Sequence, residues 1–157
     1  MQKFIRVMAI IAAVLVALSL LLLLVSIPLQ RFIAGNWLNY PESLMAALPI
    51  FPLADFFNCF LLLACVALLI VCCGNQKGGI WLEILMFLMI AVVLPLLNNL
   101  LANVQNVMLG QLRGDTYVAA NSAVNNISHY CMASGNLGRC IALTTCGMSI
   151  AFKRTKK

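Results

Sequence analysis

The sequence predicts an all-α integral membrane protein: a polytopic bundle of four antiparallel transmembrane helices, with short interfacial helices on the external side. Of its 157 residues, 64% are hydrophobic and only 9% are charged, whereas soluble domains are about half apolar and a quarter charged. Apolar runs long enough to cross a hydrocarbon core of about 30 Å recur along the chain. Basic residues collect on one side of the resulting topology. We treat residues 1–157 as one membrane domain.

The first predicted span covers residues 5–27, a run that is apolar except for Arg6 at its start and two serines within it. Lys3 and Arg6 at its beginning are also the arrangement of a secretory signal peptide. The apolar run exceeds the usual core of about 7–15 residues in a signal peptide, and no convincing small-residue cleavage motif precedes Pro28. We therefore expect a retained membrane anchor.

The second and third spans, residues 53–73 and 80–101, form a predicted hairpin. Asp55 lies in the first turn of the second span, where a carboxylate favours a helix N-terminus. The glycine-rich stretch at 74–79 is short enough to make the two helices antiparallel neighbours. Pro95 is expected to kink the third helix near its far end.

The fourth span, residues 130–152, is the least apolar and contains Arg139. The distribution of basic residues favours it, because a fourth crossing places both termini in the cytoplasm and three crossings would reverse the charge bias. Seven basic residues then face the cytoplasm and three lie outside: Lys3, Arg6, Lys77, Lys153, Arg154, Lys156 and Lys157, against Arg31, Arg113 and Arg139.

Two external connections follow from this topology, at residues 28–52 and 102–129. The first contains aromatic rings suited to the headgroup layer and a short apolar segment at 41–48, which predicts an interfacial helix. The second begins with an amphipathic pattern that continues the third helix. Gly110 is expected to interrupt that pattern.

Arg139 is the most informative polar residue, because an unpaired cation within a span is energetically expensive. We expect the guanidinium either to extend to the membrane boundary or to pair with a polar side chain, in preference to binding a ligand. The candidate partners lie at the outer ends of the second and third helices and in the loop that follows: Asp55, Asn98, Asn99 and Asp115.

The chain has seven cysteines. Cys131 and Cys140 lie toward the external side and would form a disulfide if a bend brought them together, whereas in one straight helix they would be about 13 Å apart. Cys59, Cys65 and Cys146 are expected to act as small apolar residues. The same interpretation is preferred for the pair at 72–73, with acylation as the weaker alternative.

No metal, cofactor or catalytic motif is apparent, and we expect no enzymatic activity. His129 is the single histidine and has neither a third ligand nor an orienting acid beside it. Glu83 would suit a proton or cation site if it lay deeper in the membrane. One turn into the third span, its carboxylate is instead expected to reach the cytoplasmic headgroups.

Small residues recur at helical spacing on the first span, at Ala9, Ala13 and Ala17, and on the fourth, at Cys140, Thr144, Gly147 and Ala151. Such stripes allow helices to approach closely within one chain or between copies. The expected function is a non-enzymatic subunit or regulator of a membrane complex. The expected partners of the protein are the lipid bilayer and other transmembrane helices, either from copies of this chain or from other proteins. Nucleic acid is not expected as a partner. The alternative is an oligomeric channel or transporter component lined by Arg139, Thr144, Asn98 and Asn99.

The topology is testable with reporter fusions or cysteine accessibility in intact cells. Lys3, Lys77 and Lys157 should be cytoplasmic, and Trp37 and Asn121 should be external, because the basic residues resist translocation. An external Lys157 would eliminate the topology with four spans.

Overall fold

The computed structural model describes residues 1–36, 53–74, 79–113 and 128–155. Within these ranges every residue except Met1, Gly79 and Met132 is helical, and no strand occurs. A helical turn at 128–131 leads into the last helix. The helices are α1 (Gln2–Asn36), α2 (Leu53–Gly74), α3 (Ile80–Leu88), a π turn (Met89–Val93), α4 (Leu94–Arg113) and α5 (Ala133–Thr155).

Three helical segments are long and apolar enough to cross a membrane: Gln2–Leu29, Asp55–Cys72 and Ile80–Val104. They correspond to the first three predicted spans. The third consists of α3, the π turn and the first half of α4, which continue into one another. Helix α5 is not among these segments, because its glycines, hydroxyl side chains and Arg139 lower its hydropathy.

Two helices extend beyond the predicted spans. Helix α1 continues through Pro28 to Asn36, so helical structure reaches into the segment predicted as an external connection. Near this proline the Ser26 hydroxyl donates a hydrogen bond to the Leu23 carbonyl at 2.6 Å. Helix α4 runs to Arg113, so the predicted interruption at Gly110 is wrong. The predicted interfacial helix at 41–48 lies outside the described residues.

Helices α1 and α5 pack antiparallel. Near one end of the contact, the Ser19 hydroxyl donates a hydrogen bond to the Cys131 carbonyl at 2.8 Å. The buried residues of α1 are separated alternately by four and three positions, the spacing of a helix packed in left-handed coiled-coil geometry. They are Ile5, Ala9, Ala12, Val16, Ser19, Leu23 and Ser26.

Two glycines of α5 permit this close approach. A Cβ atom on Gly138 would lie 2.9 Å from the Ala12 carbonyl oxygen and 2.9 Å from Val16 Cγ2. A Cβ atom on Gly135 would lie 2.8 Å from Ser19 Oγ. Helix α1 therefore occupies the space that any larger side chain at these two positions would need.

The outward sides of the apolar helices carry large exposed hydrophobic side chains, while smaller apolar and sulfur-containing residues fill much of the interior. Lipid can cover such an exterior, whereas water cannot do so without a large free-energy cost. Examples of the exposed residues are Val14, Leu21, Phe60, Val71, Leu85 and Leu96, each at least 54% exposed.

A glycine pair tests the α1–α5 contact. Gly138→Ala should lower the stability of the full chain in detergent by about 1–3 kcal/mol, because the added methyl group overpacks the interface. A methyl group at Gly147 would instead meet no atom within 4 Å. Gly147→Ala should therefore be neutral or stabilising, by at most about 1 kcal/mol from helix propensity. Equal effects of the two substitutions in thermal unfolding would contradict the packing.

Candidate functional site

Glu83 lies in the first turn of α3 and is fully buried. Its Oε1 accepts hydrogen bonds from Ser149 Oγ and from Lys153 Nζ, each at 2.8 Å. The expectation that this carboxylate reaches the headgroups is wrong, because α5 supplies a hydroxyl group and an ammonium group inside the bundle. We call Glu83, Ser149 and Lys153 the Glu83 cluster.

Helix periodicity explains how α5 reaches Glu83 repeatedly. Cys146, Ser149 and Lys153 are spaced by three and four residues and therefore share one face of the helix. The Cys146 thiol donates to the Glu83 backbone carbonyl at 3.1 Å. Cys72, near the end of α2, lies close to both Glu83 and Lys153. Three helices therefore meet at this end of the bundle.

The Glu83 cluster has the chemistry of a structural ion pair. Lys153 neutralises the buried carboxylate, and its ammonium group remains partly accessible, with the side chain 17% exposed. The second carboxylate oxygen, Oε2, is buried and has no hydrogen-bond partner among the described residues. In the described part of the chain, no group of three histidine, cysteine or acidic residues is arranged to hold a metal ion.

Arg139 contacts the third span where its backbone is irregular. Its Nε donates a hydrogen bond to the Ile90 carbonyl at 3.1 Å. In a regular α-helix that carbonyl would accept from Leu94, but here the Leu94 N–H bonds to Met89 in the π turn. The next residue, Pro95, has no N–H to offer. Arg139 therefore satisfies a carbonyl that the π turn and the proline leave free.

The predicted side-chain partners of Arg139 do not fill this role among the described residues. Asp55 is half-buried and interacts electrostatically with His129. Asn98 has a buried Oδ1 without a hydrogen-bond partner, and Asn99 is exposed. Asp115 lies outside the described residues. The hydrogen bond that Arg139 makes is to a backbone carbonyl, so the expected side-chain partner is not found among the described residues.

Cys131 and Cys140 are both free thiols, the first half-buried and the second exposed. Cys59 and Cys146 are buried, as expected for small apolar residues, and Cys65 is half-buried. Cys72 is only 7% exposed and belongs to the core. Its packing therefore argues against acylation at that position.

The face of α5 that packs within the chain is not the predicted small-residue stripe. The buried face consists of Gly135, Gly138, Ala142, Thr145, Cys146 and Ser149. The predicted stripe is exposed over its whole length and runs along the opposite side of the helix: Cys140, Thr144, Gly147 and Ala151. We call these four residues the outer stripe.

Comparison with protein-family models, with curated proteins and with solved structures gives no match for this chain. The function is therefore inferred from the arrangement of its own residues. Two features of α5 carry that inference: the polar contacts on its inner face and the exposed outer stripe.

The ion pair predicts a specific pattern of stabilities. Lys153→Met should destabilise the chain by about 3 kcal/mol, because it leaves a buried charge without a partner. The double variant Glu83→Gln/Lys153→Met removes both charges and should recover part of this loss. Arg154→Met, at an exposed neighbouring position, is the control and should change stability by less than about 0.5 kcal/mol. A double variant less stable than Lys153→Met, measured by detergent denaturation, would rule out the ion pair.

Proposed function

We propose that the protein is a non-enzymatic subunit or regulator of a membrane complex. It crosses the bilayer four times with both termini in the cytoplasm, and it binds a transmembrane helix of another protein through the outer stripe of α5. The observation that carries this proposal is the exposure of a continuous small-residue face on the least apolar helix.

The contacts of α5 support a fourth crossing. They extend from Gly135, beside Ser19, to Lys153, beside Glu83. Eighteen residues of α-helix rise about 27 Å, close to the thickness of a hydrocarbon core. Because α1 and the third span are themselves long enough to cross, a helix aligned with both shares their depth. The hydrogen bonds of its inner face offset the cost of its polar groups in lipid.

The outer stripe is suited to a protein partner. Transmembrane helices associate through small residues that let backbones approach, because lipid provides no hydrophobic drive for association. Gly135 and Gly138 already form such a contact with α1 on the inner face. On the outer face, Gly147 has open space beside it. A second close helix contact can therefore form there.

The alternative function, an oligomeric channel or transporter component, has weaker support. It needs a wet path lined by Arg139, Thr144, Asn98 and Asn99. The Thr144 hydroxyl donates to the Cys140 carbonyl of its own helix at 2.9 Å, which is how a hydroxyl group is satisfied in lipid. Arg139 is directed to the third span. These two side chains therefore favour helix packing over a hydrated lining.

The proposed interface is tested by placing a bulky side chain in the outer stripe. Gly147→Leu should reduce the partner recovered with the full chain in mild detergent at least about tenfold, because the leucine prevents close helix approach. The matched control is Ala67→Leu, which places the same side chain on an exposed position of α2. Native mass spectrometry of both variants and the wild type gives the composition of each complex.

The outcomes separate the two functions. A second protein that is lost with Gly147→Leu and kept with Ala67→Leu is the expected result. A closed assembly of this chain alone that dissociates with Gly147→Leu would favour the channel alternative. A monomeric wild type, or equal effects of the two leucines, would contradict both.

A further inference from the structure

Arg139 carries a positive charge that no acidic side chain in the described part of the chain neutralises. Its Nε donates to the Ile90 carbonyl, and its two terminal NH₂ groups make no hydrogen bond or ion pair with described residues. The side chain is half-buried, so part of it is accessible from outside the bundle. A guanidinium group stays charged and offers paired donors that match a carboxylate. Most of the binding capacity of this side chain is therefore unused.

Two contacts fix the depth of Arg139 along the bundle. Its hydrogen bond to Ile90 places the guanidinium ten residues from the start of the span Ile80–Val104 and fourteen from its end. On the α1 side of α5, the neighbouring Gly138 packs against Ala12 and Val16, near the middle of the span Gln2–Leu29. Ten residues of helix rise about 15 Å. Arg139 is therefore level with the middle of two helices that are long and apolar enough to cross a membrane.

This depth limits the sources of a counter-ion. Lipid phosphates lie at the membrane boundary, about half of a 30 Å hydrocarbon core away from its centre. The Ile90 contact holds the guanidinium at the level of that carbonyl, so the side chain does not extend to the boundary. An unpaired cation at the centre of a span is energetically expensive, and intramembrane arginines therefore pair with another polar group. A carboxylate at the same depth meets this need.

The acidic residues of the chain lie at other depths. There are four of them: Glu42, Asp55, Glu83 and Asp115. Asp55 is the first residue of its span, and Glu83 binds Lys153 near the beginning of the third span. Glu42 and Asp115 fall outside the three spans. A second copy of this chain therefore has no carboxylate in the middle of a span, and the counter-ion is expected from another protein.

The surface beside Arg139 is open to a further helix. Asn136 lies one turn before Arg139 and is exposed, and Cys140, the first residue of the outer stripe, follows Arg139 directly. Around the helix, Asn136 lies between Arg139 and the outer stripe. A helix that packs on the outer stripe therefore has Arg139 at the edge of its contact surface. The long arginine side chain can reach a carboxylate on such a helix.

We infer that Arg139 forms an intramembrane ion pair with an aspartate or glutamate near the middle of the partner protein's transmembrane helix. The two NH₂ groups of Arg139 bind the two carboxylate oxygens in parallel. Both charges are compensated only in the complex, which selects an acidic helix over a purely apolar one. The inference rests on the proposed function in one respect, that a helix of another protein packs on α5, and it adds the chemistry by which that helix is recognised.

Synthetic transmembrane peptides test the pairing with the full chain in phosphatidylcholine vesicles. Each peptide is a helix of about 20 alanine and leucine residues with glutamate, or glutamine as the matched control, at its centre. Energy transfer between labels on the peptide and on the chain measures binding. The glutamate peptide should bind at least about tenfold more tightly, because only its carboxylate neutralises Arg139. A third peptide, with glutamate in its first turn, should bind no better than the glutamine peptide.

Variants of the chain assign the preference to Arg139. Arg139→Gln keeps a hydrogen-bond donor without the charge and should bind the two central peptides equally. Arg139→Lys keeps the charge and should retain part of the preference, which separates the loss of charge from a loss of folding. Arg154→Gln removes an exposed positive charge near the end of α5 and should keep the full preference.

The proposal is overturned if the wild type binds the two central peptides equally or binds neither, or if Arg154→Gln abolishes the preference. Loss of the preference when phosphatidic acid is added would make a lipid the counter-ion, and self-association that Arg139→Gln weakens would make it a second copy. Strong coupling of Asp115→Asn to Arg139→Leu in a double-mutant cycle would place it within the chain. Each of these three results also overturns the proposal.

Gly147→Leu distinguishes this inference from the proposed function. Equal binding of the two central peptides, weakened by Gly147→Leu, would overturn the ion pair and leave the outer stripe as the interface. A preference for glutamate that depends on Arg139 but is unaffected by Gly147→Leu would support the ion pair and count against the outer stripe.

Discussion

Hydrocarbon offers no hydrogen bonds, so every polar group at membrane depth needs a partner within the protein. In the proposed topology this constraint acts most strongly on α5, which carries Arg139 and Lys153 together with several hydroxyl groups and glycines. Its inner face meets the constraint through contacts with other helices. The Ile90 carbonyl accepts from Arg139, and the Glu83 carboxylate accepts from Lys153. The placement of α5, and with it the proposed topology, depends on these contacts.

The same contacts explain features of the apolar helices that would otherwise be unfavourable. A buried carboxylate in α3 and the free carbonyl of Ile90, five residues before Pro95, would each destabilise a helix that stood alone in lipid. Helix α5 supplies the donor that each one lacks. The close fit of Gly135 and Gly138 against α1 holds α5 at the required distance. The inner face is therefore used in folding, while the outer face of α5 stays exposed.

The sequence predicted the three apolar helices well, because each is an apolar run long enough to be identified from composition alone. It could not identify the packed face of α5, since small residues occur on both sides of that helix. The partner of Arg139 was missed because it is a backbone atom, although Pro95 was a usable signal: a proline inside a helix frees a carbonyl one turn earlier. The burial of Glu83 depends on Ser149 and Lys153, more than sixty residues away in the sequence.

The most direct test of the central claim is the position of the two ends of α5 relative to the membrane. His129 and Thr155 are both exposed side chains beside these ends. Single-cysteine variants at 129 and 155, in a full chain without native cysteines, can be treated with a membrane-impermeant maleimide from either side. We predict that the cysteine at 129 reacts only from the external side and the cysteine at 155 only from the cytoplasmic side. Reaction of both from the same side would show that α5 does not cross.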